Sequence, residues 1–584
     1  MSIITTKGCP QGGVLPPLLW LLVVNEILKI LNDRNFQTEG FSDDLGTLLR
    51  GISVSVLCSL LQTVIDLVLE WSDMNELSIN PNKTKMILFT RKTKIEGLTI
   101  PKIKGIPIKL VDHVNFLGAI FDAKMKGIHN LEARIEKATV SLWQCRKAYG
   151  KNWGLSPKVM YWIYTTIIRP IILYGSFIWN HICDLKYVQQ MLKKFQRLAC
   201  LAITGAWKST PTDALEAMLN LPPLHILIKS EAIKVLDRLA KTQDYKHRLC
   251  NHTRIWVKAS ETEPSMTWPA DKVKKTFKFD RNFEILIPSR DEWINRTLPP
   301  SNGITLYTDG SVMNGSAGAG IHCAETNTDI SLPLGKYSTI YLAEIRAIIE
   351  ACHVISDKAI PNNIIHICSD SESALKTLSS HVFHSALAIE CWDNINNLTN
   401  ENLVKLIWVP AHSGIEGNER ADELAKIATS ITPFSPEPVL GTSPSYCLSR
   451  INERRTKEFI KHWNSSPGCR QAKQGLCINA KKSKYLINVS RTRLKTYTGI
   501  ITGHFGFNKH LTTIGKRTDP SCDLCGHETE TAEHFLCRCP AFICNRRKYL
   551  GNYIIRYNQI KNLHPQDILN YTFSTGRFIT DSNA

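Results

Sequence analysis

Four acidic residues in the middle of the chain have the types and spacing for divalent-cation chemistry. Asp309 lies in YTDGS, Glu344 in YLAEIRAI, Asp370 in CSDSES and Asp422 in NERADELA. Asp309 and Asp370 belong to apolar stretches with strand character, and acids that close such strands project at the rim where α/β sheets bind ligands. Carboxylates gathered in one place repel one another and raise one another's pKa unless cations hold them. Oxygen ligands favour Mg²⁺ or Mn²⁺, and two such ions about 4 Å apart can activate a water and stabilise the leaving oxygen in phosphodiester hydrolysis. His412 and Asn418 precede Asp422 on a glycine-containing loop that runs into a helix, VPAHSGIEGNERADELA. Asn is a preferred N-cap, so Asn418 is a candidate cap for the helix that carries Asp422.

A second constellation lies near the C-terminus. CDLCGHETETAEHFLCRCP offers Cys522, Cys525, His534 and Cys539. Thiolates on a CxxC turn can both reach one ion, and a later His and Cys complete the tetrahedron that Zn²⁺ prefers. Cys537 and His527 are alternative ligands, and a set of reduced core cysteines is the reading without metal.

The elements that must position these groups follow from periodicity. ITLYTDGS, IIHICSDS and LVKLIWVP read as strands, while IYLAEIRAIIEACHVI and NERADELAKIA read as helices. The texture from Ile304 to about residue 430 is therefore that of a mixed α/β domain. Residues 126–245 show long runs at helical spacing, 246–300 carry the Pro and polar residues of a linker, and 431–515 form a basic helical region after a second Pro-rich link. The fold class expected for the whole chain is multidomain α/β and α.

The 584 residues allow roughly three to four domains. A net charge of +19 favours a polyanionic partner, most simply nucleic acid. The strongest membrane candidate, VLPPLLWLLVVNEILKIL, is interrupted by Asn25 and Glu26 well short of the ~20 apolar residues a span needs, and reads as a buried helix. No membrane partner is expected. Without a secretory signal pattern the expected compartment is intracellular and reducing, nucleus or cytoplasm, so the 18 cysteines read as core thiols or ligands.

The order YTDGS, AEIRAI, SDSESAL and VPAHSGIEGNERADELA resembles type 1 ribonuclease H over residues 301–430. That resemblance implies Asp309, Glu344, Asp370 and Asp422 as ligands of two Mg²⁺ or Mn²⁺ ions. It gives His412 a part in proton transfer or product release, and makes the RNA strand of an RNA/DNA hybrid the substrate. KGCPQGGVLPPLLW with Gln11, GFSDDLGTLLRG with Asp43 and Asp44, and LSINPNKTKMILF with Lys83 resemble a reverse-transcriptase palm. Together the motifs resemble jockey-like non-LTR retrotransposon polyproteins. Residues 1–125 are then a partial palm, 126–245 a thumb-like region and 516–584 a zinc-knuckle-like tail, with element RNA among the partners.

The palm's first catalytic aspartate would precede Gln11, yet none of the ten residues before it is acidic, Asp33 matches no motif, and Pro16 replaces the usual serine. The expectation is a truncated polyprotein whose palm does not polymerise unless another chain supplies the strand. The alternative is a decayed relic acting at most by binding nucleic acid.

Overall fold

The computed structural model describes residues 13–578 apart from 91, 93, 149, 151–153, 242–252, 290–292 and 294–301. It divides into two bodies, residues 1–136 and 137–584.

In the first body, Pro16 starts the helix Pro16–Asp33, where a missing N–H costs nothing. The hairpin Gln37–Phe41 with Asp44–Leu48 follows, then the helix Val54–Met74, capped by the Ser53 hydroxyl. Val24, Ile27 and Leu31 of the first helix pack with Val64 and Trp71 of the second, and the Trp71 indole donates to Glu26 at 3.0 Å. The expectation of a buried first helix needs correction. Its first half, residues 16–24, is apolar all round, but the second helix covers a single stripe, and Leu18, Leu19, Leu21 and Leu22 are more than half exposed. The Val54–Met74 helix is long and apolar enough to cross a membrane by length and composition.

The second body contains a six-stranded mixed sheet in the order Glu284–Leu286, Leu403–Trp408, Ile364–Ser369, Ile304–Met313, Ser316–Cys323, Thr328–Gly335. The first four strands are mutually parallel, Ser316–Cys323 turns back antiparallel to them, and Thr328–Gly335 pairs antiparallel with it in turn. Strand alternation sorts the AGAG run of Ser316–Cys323 onto two faces. Ala317 and Ala319 pack against Ala343 and Ala347 of the helix Ile340–Asp357. Gly318 and Gly320 lie against the backbone of the helix Glu416–Ser430, where a Cβ on Gly320 would sit 2.1 Å from the Ala421 carbonyl oxygen. Only glycine admits that approach. Gly320→Ala should therefore destabilise the protein by about 1–3 kcal/mol through overpacking, read as a lower thermal midpoint. An unchanged midpoint would contradict the close approach.

The expected linker at 246–300 is corrected in its described part. Residues Arg254–Thr262 are helical, burying Trp256 and Ala259 against Ile233, Leu236 and Ile451. Glu284–Leu286 is the edge strand of the sheet, and Thr276–Phe277 pairs with Val382–Phe383. Prolines and lysines gave this stretch a linker's texture, but Trp256, Phe283 and Ile285 anchor it. The second link is held too: Thr442 bonds Pro269 and Asp271 through the backbone, and Glu437 accepts from the Lys336 N–H at 3.0 Å.

The separation of a thumb-like region, a basic helical region and a C-terminal tail also gives way. Ala214, Ala217 and Met218, then Trp463, Leu494 and Tyr497, then Phe535, Leu536 and Tyr571 share one hydrophobic core. The apolar faces of all three segments are spent on one another.

Candidate active site and metal centre

Asp309 lies within the strand Ile304–Met313, next to Gly310, whose missing Cβ lets the Glu344 backbone approach. Glu344 projects from the first turns of Ile340–Asp357, a helix capped by the Thr339 hydroxyl. Asp370 stands one residue beyond the strand Ile364–Ser369, its carbonyl fixed by the Trp408 indole at 3.1 Å. Ligand atoms of Asp309, Glu344 and Asp370 all lie within 4.8 Å of one another. Asp422 stands outside that trio but close enough for its charge to act on both Asp309 and Asp370, and it receives the Lys426 ammonium at 2.5 Å.

Burial and mutual repulsion dominate the electrostatics. Loss of solvent first, then the Asp370 and Asp422 charges, push the Asp309 carboxyl up to about 7. Burial first, then the Asp309 and Asp370 charges, raise Glu344 well above the usual carboxylate range, and burial with the Asp422 charge raises Asp370 as well. Glu344 Oε2 is buried and has no hydrogen-bond partner. Clustered carboxylates with an orphaned buried oxygen are a donor set that suits a hard divalent cation.

A stability prediction follows for the protein freed of divalent ions. The folded pKa of Asp309 lies above its unfolded value, so the folded state binds the extra proton. Stability is fully present below about pH 4 and is lost as pH rises through about 7. Removing that charge with Asp309→Asn should flatten this part of the pH dependence, a difference of up to roughly 4 kcal/mol at pH 8. Parallel denaturation curves for parent and variant in a chelator from pH 5 to 8 would contradict it.

His412 is exposed, has a positive φ of 52°, and its charge reaches Asp370. Asn418 is not the helix cap; Ile415 holds that position. Asn418 is buried and hydrogen-bonds Asp370, lowering that carboxylate's pKa against the effect of burial. Sequence reasoning passed over Lys426, although an acid and a lysine four residues apart on a helix are an available signal.

The C-terminal cluster gathers as a set. Cys522, Cys525, His534 and Cys539 present ligand atoms within 4.8 Å of one another. Cys522 and Cys539 Sγ are 4.0 Å apart, and Cys525 Sγ lies 3.4 Å from His534 Nε2. A tetrahedron with Zn–S bonds of 2.3 Å has edges of about 3.8 Å, so the donor set fits one zinc ion. Glu528, missed in the sequence, lies 2.9 Å from His534 Nδ1 and turns Nε2 toward the thiols. Neither alternative ligand joins: Cys537 is buried in the core, and His527 is exposed.

In the first body the turn of the hairpin holds Ser42 and Asp43, with Asp44 paired to Phe41. Ser42 takes the positive φ that two-residue hairpin turns require, and its carbonyl accepts from the Trp20 indole at 2.8 Å. Lys83 sits in an exposed turn, and Gln11 lies outside the described residues. Among the described residues, Asp43 and Asp44 join no group of three metal-ligating side chains.

Residues 301–430 match the family model for ribonuclease H, and residues 1–121 that for reverse transcriptase (RNA-dependent DNA polymerase). The chain is 25% identical over 234 residues to a 115 kDa protein of type-1 retrotransposable element R1DM from Drosophila melanogaster, covering 40% of this chain and 23% of that protein. It is 24% identical over 220 residues to the retrovirus-related Pol polyprotein of element R1 from Nasonia vitripennis, covering 37% and 65%. The chain thus spans less than two thirds of these relatives. Among solved structures, ribonuclease H1 of Halobacterium salinarum aligns at 22% identity and a TM-score of 0.18, covering 21% of this chain and 96% of that one. By its family matches the chain carries a ribonuclease H domain at 301–430 and a reverse-transcriptase domain at 1–121, and its relatives are R1 non-LTR retrotransposon polyproteins.

Proposed function

We propose that residues 301–430 hydrolyse the RNA strand of RNA/DNA hybrids with two Mg²⁺ or Mn²⁺ ions, within a retrotransposon polyprotein. The observation that carries this reading is the convergence of Asp309, Glu344 and Asp370 with a buried, unpartnered Glu344 oxygen. Ions bound there supply Lewis acidity toward a phosphodiester and lower the pKa of an attacking water. Asp309 and Glu344, rigid on strand and helix, fix the donor atoms from the buried side. Asp370 and Asp422 close the solvent side, with Asn418 orienting Asp370 and Lys426 balancing Asp422. His412, exposed on its loop beside Asp370, is placed to carry a proton between the site and solvent. Recognition of the RNA strand rests on its 2′-hydroxyl in the wide minor groove.

The test is a panel of labelled substrates given to the full chain in Mg²⁺. The hybrid should be cut, and single-stranded RNA and duplex DNA left intact; equal cutting of single-stranded RNA would overturn the assignment. The Cys/His cluster is proposed as a structural zinc site. The reverse-transcriptase match favours a second reading, RNA-directed DNA synthesis using Asp43 and Asp44, tested by primer extension on an RNA template.

A further inference from the structure

We propose that the segment 274–281, which precedes the stretch that matches ribonuclease H, forms with His381 a stacking platform for single-stranded nucleic acid, separate from the carboxylate site. The run Lys274-Lys275-Thr276-Phe277-Lys278-Phe279-Asp280-Arg281 alternates rings and cations. Extended backbone puts Lys275, Phe277 and Phe279 on one side of it. Phe277 is 51% and Phe279 67% exposed. Their rings lie nearly parallel, 8° apart with centroids at 6.1 Å, and the exposed His381 ring continues the row 5.6 Å from Phe279. The Lys275 ammonium sits 5.0 Å above the Phe277 ring.

This row is held rigidly at both ends. Asp271 accepts from the Leu387 N–H at 2.8 Å, and the strand Glu284–Leu286 is paired into the sheet. Between these anchors Lys278 bonds Asp393 at 2.6 Å, the Arg281 guanidinium donates to the Ser379 carbonyl at 3.2 Å, and Thr276–Phe277 pairs with Val382–Phe383. Exposed parallel rings on a fixed backbone are an expensive way to face water and an effective way to meet bases, since every base has a face to stack. The charges select the occupant. Lys274, Lys275 and Arg281 flank the rings at the surface, opposed within the run by Asp280, while Asp393 answers Lys278. Cations interleaved with rings suit a phosphate backbone carrying unpaired bases.

The platform and the carboxylates share one support. The helix Glu372–Ser379 begins two residues after Asp370, and its last residue receives Arg281. Its eight residues span about 12 Å, so a strand leaving the carboxylate site could continue onto the rings.

The test uses the full chain and a single-stranded oligouridylate carrying photoreactive 5-iodouridine, with the crosslinked peptides mapped by mass spectrometry. The expected adduct is on Phe277, Phe279 or His381. Phe277→Ala with Phe279→Ala should lower that adduct's yield about tenfold or more while other adducts persist, and Phe277→Tyr with Phe279→Tyr should retain it. Exposed positions leave the fold intact, checked by an unchanged melting curve. Crosslinks confined to other segments would overturn the platform, leaving the rings to a protein partner. The readout does not depend on cleavage, so it stands or falls apart from the nuclease reading.

Discussion

Asp370→Asn should cut cleavage of an RNA/DNA hybrid on the order of a thousandfold or more, equivalent to roughly 4 kcal/mol in the barrier. The substitution preserves shape and hydrogen-bonding size but deletes one of the charges that would hold divalent ions between Asp309, Glu344 and Asp370. The fold should not suffer. Each of these carboxylates is raised in pKa by burial and by its neighbours, so neutralising one relieves repulsion in the metal-free state. An unchanged or higher thermal midpoint with lost cleavage is the expected pair of results. Loss of cleavage together with a collapsed midpoint would instead mark Asp370 as a structural residue.

Cys522→Ser should have the largest effect on stability. Apparent binding energies of structural zinc in small peptides run to roughly 10–16 kcal/mol, and a site lacking one thiolate gives up much of that. The consequence should spread beyond the CxxC turn. Phe535, Leu536 and Cys539 share their core with Trp463, Tyr497 and the helix residues Ala214, Ala217 and Met218. Arg546, fully buried, ties the carbonyl of Cys539 to that of Tyr553. Limited proteolysis should therefore expose sites around 205–220 as well as 516–545, and the parent should contain one zinc per chain. A variant whose new cleavage sites stay within 516–545 would show the tail to be independent of the helices.

The carboxylates were readable because each lies in a short motif whose neighbours announce an element: Asp309 and Asp370 belong to apolar strand patterns and Glu344 to an amphipathic helix. The Cys/His set was readable because CxxC spacing is itself geometric. What places them was less visible. Gly318 and Gly320 resemble turn signals, and only the packed helix Glu416–Ser430 shows why a Cβ cannot be there. Asn418 satisfies a capping preference on paper, but the helix starts earlier and turns Asn418 inward to Asp370. The strand Glu284–Leu286 has three residues and exists through parallel pairing with Leu403–Trp408, a partner that no local pattern names. The shared C-terminal core escaped for the same reason, since Met218 and Phe535 are far apart in sequence and each sits in an ordinary apolar run.

The most direct measurement is cleavage of a labelled RNA/DNA hybrid by the full chain in Mg²⁺, beside the same protein in chelator and the Asp370→Asn variant in Mg²⁺. Cutting of the RNA strand is expected in the first sample alone. Cutting that persists in chelator or in the variant, or a folded parent that leaves the hybrid intact, would contradict it.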